Sequence, residues 1–125
     1  MKFMMITNAT KDSEAGNPPD PRMMEAVAQF IDELTKAGIL VSTGGLHRSS
    51  EGALIRLSGG KVSITDGPFA ETKEIIGGYA ILDVTSKEQA VEVARRCWQM
   101  TADIMGPSYE GGGSLLRMWD ESDFA

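Results

Sequence analysis

Apolar residues along this chain come in short bursts, and their spacing alternates between the period of a strand and the period of a helix. Phe3, Met4, Met5 and Ile6 are consecutive and predict a strand over residues 2–8. The segment KDSEAGNPPDP that follows is rich in Pro, Gly, Asn and Asp and reads as a loop. Asp20 ahead of Pro21 supplies an N-cap with proline in the first helical position. Met24, Val27, Ile31 and Leu34 then recur at helical spacing, and Gly38 closes the helix. ILVST, residues 39–43, predicts a second strand ending at Gly44-Gly45. Beyond the polar piece HRSSEG, the runs ALIRLS and KVSIT flank Gly59-Gly60, a hairpin signal. Residues 75–84 make a further strand, and Ser86 with Gln89 forms a capping box. The helix so capped has Ala90, Val93, Ala94, Cys97, Trp98 and Thr101 on its inner face. GSLLRMW, residues 113–119, is the last strand before the acidic tail DESDFA.

The order β-α-β, hairpin, β-α-β predicts an α+β fold of ferredoxin-like type, with an added hairpin. Both helices then lie on one face of the sheet. In the strand at 75–84, Ile75, Ile76, Tyr79, Ala80, Ile81, Leu82 and Val84 put apolar groups at both parities. A sheet with one wet face alternates more cleanly than this. The second face is therefore expected to be buried, either by a twin subunit in a homodimer or by the hairpin folding over it.

Composition narrows the function classes. The 125 residues suit one domain, 1–125, with 42% hydrophobic and 24% charged residues, the balance of an ordinary globular protein. No apolar run approaches the roughly 20 residues of a membrane helix, and the N-terminal run is too short for a leader's apolar region, so no membrane role is expected. The single cysteine, Cys97, fits a reducing cytoplasm and a place in helix core. A net charge of −6 with scattered Lys and Arg argues against direct nucleic-acid binding. One histidine with one cysteine is poor material for a zinc site, and phosphate-loop, dinucleotide and nucleophile-elbow motifs are absent, so neither metal nor organic cofactor is expected.

The run TDGPFAETKE, residues 65–74, followed after two isoleucines by Gly-Gly-Tyr, resembles the signature of the DGPF branch of the YCII-related family. GGLHRSSEG, the Gly-Gly hairpin and the closing LRMWDESDFA are similar to one subgroup of it, so that the resemblance spans nearly the whole chain. It implies sheets pairing into a dimeric α/β barrel in a bacterial protein. It also implies a His-Asp pair as active-site candidates, with dechlorinating elimination on a muconate-type acid as one precedent. Association with sigma-factor regulatory systems is the implied alternative.

Asp66 falls at the aspartate of the signature, and His47 at the subgroup's histidine. Two readings stand for each. Asp-Gly is a common turn pair, and a lone polar histidine is commonly solvated. If the strands carrying them are adjacent, Asp66 orients the His47 imidazole, fixing its tautomer for proton abstraction beside a carbonyl. Glu71, Lys73 and Glu74 are candidates to line the same mouth, against a solvated loop with local ion pairs. Arg56 and Lys73 are candidate carboxylate anchors, a guanidinium fork matching a carboxylate in shape, and Tyr79 is a candidate hydroxyl donor inside the barrel. The expected activity is cofactor-independent lyase or isomerase chemistry on a small carboxylate-bearing molecule. The alternative is a small-molecule sensor or a module contacting a regulatory protein through TDGPFAETKE.

Overall fold

A computed structural model describes residues 1–70 and 75–124. The chain runs β1 (Lys2–Asn8), α1 (Lys11–Glu14), α2 (Pro21–Lys36), β2 (Leu40–Gly45), a 3-10 turn (Ser49–Glu51), β3 (Ala53–Ser58), β4 (Lys61–Asp66), β5 (Ile76–Asp83), α3 (Lys87–Met105), β6 (Gly113–Arg117) and a second 3-10 turn (Glu121–Phe124). Four strands form one antiparallel sheet in the order β2-β5-β1-β6, while β3 and β4 pair only with each other. With β3–β4 set aside, the first and third strands are central and α2 and α3 make the crossovers. This is the ferredoxin-like α+β arrangement that the alternation of periods predicts.

Register places the core. Phe3 pairs with Leu82 and Met5 with Ala80, so these four side chains share the face that receives the helices. Leu34 from α2 and Ala90 and Val93 from α3 complete a cluster around Leu82, which is wholly buried. Phe30, Ile39, Leu40 and Leu115 pack at its edge. Arg96 clamps the two helices from outside, its guanidinium donating to both carboxylate oxygens of Glu33 at 2.9 and 2.7 Å.

Five local expectations need correction. KDSEAGNPPDP is not all loop: Lys11–Glu14 form a helical turn, because Thr10 and Ser13 cap it reciprocally. Met24 points outward, and the inner stripe of α2 passes through Phe30 to Leu34 instead. Ser86 does cap α3, accepting from the Gln89 amide at 3.1 Å, but the Gln89 side chain returns to the Thr85 amide, one residue earlier than a capping box requires. The last strand stops at Arg117, and Trp119 stands exposed beyond it against Phe124, ring centroids 5.3 Å apart. Finally, the hairpin does not fold over the sheet: every residue of β3 and β4 is exposed. Its turn is as expected, with Gly59 and Gly60 both at positive φ (57° and 75°), the backbone of a tight two-residue hairpin.

Candidate functional site

The signature residues hold together the segment that follows β2. Gly67 donates its amide to the Gly52 carbonyl at 2.9 Å. It lies so close to the 49–50 backbone that a Cβ here would stand 1.7 Å from the Ser49 carbonyl oxygen, so only glycine fits. The Gly67–Pro68 peptide is cis. Phe69 donates its amide to Ser49 Oγ at 2.8 Å, and Ser49 is itself buried. Its hydroxyl donates to Glu14 Oε2 at 2.5 Å and its amide to Glu14 Oε1 at 2.8 Å. Three segments distant in sequence thus meet on one serine, and both carboxylate oxygens of Glu14 are occupied by it.

This framework walls a cavity of about 470 Å³. Leu46, Leu54, Phe69, Ile75 and Ile76 give it an apolar lining, and His47, Arg48 and Glu51 are its ionisable side chains. The imidazole is 88% exposed, with Nδ1 3.4 Å from Glu51 Oε2. Arg48 reaches the same carboxylate at 3.9 Å through Nε, while its Nη1 donates to the Ala15 carbonyl at 3.5 Å. A histidine, a carboxylate and a guanidinium therefore converge on an apolar hollow, the composition of a small-ligand site. A second cavity of about 270 Å³ near Met23, Thr101 and Met105 has no Lys, Arg or His in its wall.

The sequence-nominated residues are distributed unevenly around this hollow. His47 lines it. Asp66 ends β4 opposite Ala53, a wall residue, and no hydrogen bond or ion pair joins it to His47 among the described residues. Arg56 lies mid-ribbon, paired with Ser63 and outside the lining. Tyr79 is half-buried on the sheet face away from the helices, its ring over Gly44, where a Cβ would meet the ring at 3.0 Å. Glu71, Lys73 and Glu74 lie outside the described residues. Sequence reasoning missed Glu14, Arg48, Ser49 and Glu51. No motif or periodicity in the sequence links these four residues, which the fold brings together from positions 14 and 48–51.

The model of the YCII-related domain matches residues 1–106. The chain belongs to the YCII-related family. An uncharacterized protein of Rhizobium meliloti (strain 1021) is 34% identical to it over 76 residues, a stretch covering 61% of each chain. The matched region of the YCII-related domain includes every wall residue of the His47 cavity. Among the described residues no helix is long and apolar enough to cross a membrane. Nor do three or more His, Cys, Asp or Glu gather there in a way that would hold a metal ion.

Proposed function

We propose that this YCII-related protein, of the DGPF branch, is a cytoplasmic, homodimeric, cofactor-independent lyase or isomerase. Its substrate is a small carboxylate-bearing or enol-forming molecule, and His47 is the group that moves the proton. The observation that carries this is the carboxylate 3.4 Å from Nδ1 of an imidazole lining an apolar cavity. A carboxylate on Nδ1 holds the tautomer that leaves Nε2 as base, then acid. Glu51, 3.4 Å away, is the carboxylate we assign to that role, and we assign Asp66, across the ladder from the wall residue Ala53, as a further carboxylate at the rim. Arg48 anchors the substrate carboxylate in preference to Arg56, because its guanidinium is already at the wall. Tyr79 faces the interior of the proposed barrel. Phe69, Ile75 and Ile76 give the reacting carbon an apolar wall beside the positioned base.

The test is a panel of small keto, enol and unsaturated acids incubated in D₂O, with carbon-bound deuterium read by NMR. Exchange or turnover should appear with at least one acid and fall by about 10²–10⁴ in His47→Ala. Full exchange in His47→Ala contradicts the assignment. Saturable shifts of the His47 ring signals with no exchange favour the sensor alternative.

A further inference from the structure

The β3–β4 ribbon has the residue pattern of a half-buried hairpin and no burial at all. Ile55 pairs with Ile64 and Leu57 with Val62 across the ladder. Because side chains alternate, these four form one aliphatic face. Arg56, Ser58, Lys61, Ser63 and Thr65 fall on the other face, with Leu54 at its base as the one apolar residue there. The aliphatic four are 71% (Ile55), 75% (Leu57), 66% (Val62) and 68% (Ile64) exposed. A two-stranded ribbon alone in water is marginal, so this pattern needs a cover. The sheet carries a second uncovered surface: Met4, Ile6, Tyr79 and Ile81, at the parity opposite to the core, are only half-buried, and Leu116 beside them is exposed. Within one chain neither surface covers the other.

We propose that the ribbon is an arm whose aliphatic face is buried by a second copy of this chain, which thereby completes the His47 cavity. The inference rests on the homodimer proposed above and adds to it the place of the ribbon. Area supports a second copy: the four aliphatic side chains with the open sheet face offer on the order of the 800 Å² per partner that a stable complex buries. A two-fold contact also satisfies both arms at once and leaves no open face to propagate. The polar face, with Arg56 and Lys61, stays in water and discourages edge-to-edge growth. The net charge of −6 disfavours an anionic lipid surface as the cover. At the arm's base, Ala53 and Leu54 are already walls of the His47 cavity, so a partner seated on the arm closes that cavity's open side.

Sedimentation velocity over a wide dilution series tests this on the full chain. Wild type should be a dimer, and Ile55→Ser/Ile64→Ser should raise the dissociation constant by at least about 100-fold, since each buried aliphatic contributes a tenfold factor or more. Val62→Thr, which keeps the shape and adds one hydroxyl, should weaken the dimer in the same sense and serves if the double variant misfolds. Ser63→Asn, on the opposite face, should leave it unchanged. A wild-type dimer that the apolar-face variants do not weaken overturns the arm while leaving the dimer standing. A wild type that is monomeric throughout overturns both.

Discussion

The sheet and the ribbon are written in the same alternating code and meet opposite fates. In β5, Leu82 and Ala80 alternate with Ile81 and Tyr79, and α2 and α3 bury the first pair. In β3, Ile55 and Leu57 alternate with Leu54 and Arg56, and no described residue buries them. The helices that cover the sheet are its own crossover connections, whereas the ribbon is joined by two glycines and has no crossover to supply a cover. The difference teaches that alternation specifies a buried face without saying whose atoms bury it. In the sheet the hydrophobic term is collected on folding; in the ribbon, on the proposal above, it is left for association.

Core and arm should separate most widely in mutant stability. Leu82→Ala should cost about 2–5 kcal/mol in urea unfolding, the range for deleting a fully buried leucine. Ile55→Ala, measured at dilution, should stay within about 0.5 kcal/mol of wild type, as for an exposed position. Equal losses at the two positions would mean that the ribbon is buried within its own chain. Next comes the joint between the two regions. Ser49→Ala strips the Phe69 amide of its acceptor and Glu14 of a hydroxyl donor, and should cost about 1–3 kcal/mol. The same change should loosen the cavity wall at Phe69 and weaken ligand shifts at His47. The smallest effect is a rate. Burial pushes the Cys97 thiol up from its ordinary range, so less thiolate is present at a given pH and the native protein reacts sluggishly. Alkylation at mildly alkaline pH should be slower in native protein than in urea, and the native rate should begin to rise only at higher pH.

Much of the fold was legible because its signals are local. The Asp20-Pro21 start, the Gly59-Gly60 turn and the Ser86 cap each act within a few residues, and the structure keeps all three. The turn at Lys11–Glu14 was hidden because Pro and Gly nearby outweigh a cap made by two hydroxyls, Thr10 and Ser13. The site was legible only in outline. His47 stands out as the sole histidine and does line a cavity. Its carboxylate neighbour within the chain is Glu51, four residues on, which the sequence offers as one more polar residue in HRSSEG. The lattice of Glu14, Ser49, Gly67 and Phe69 joins residues up to 55 positions apart through one hydroxyl, one carboxylate and backbone amides, and no periodicity reports such a contact. Gly67 in the signature is explained by that lattice, since packing on Ser49 excludes a Cβ.

The most direct test of the contrast between sheet and ribbon is amide hydrogen exchange followed by mass spectrometry at several protein concentrations. Peptides covering β5 should be protected at every concentration, because their burial is intramolecular. Peptides covering β3 and β4 should exchange fast at high dilution and gain protection as concentration rises, together with the segment around His47. Ribbon protection that is the same at all concentrations, whether high or absent, would contradict the account.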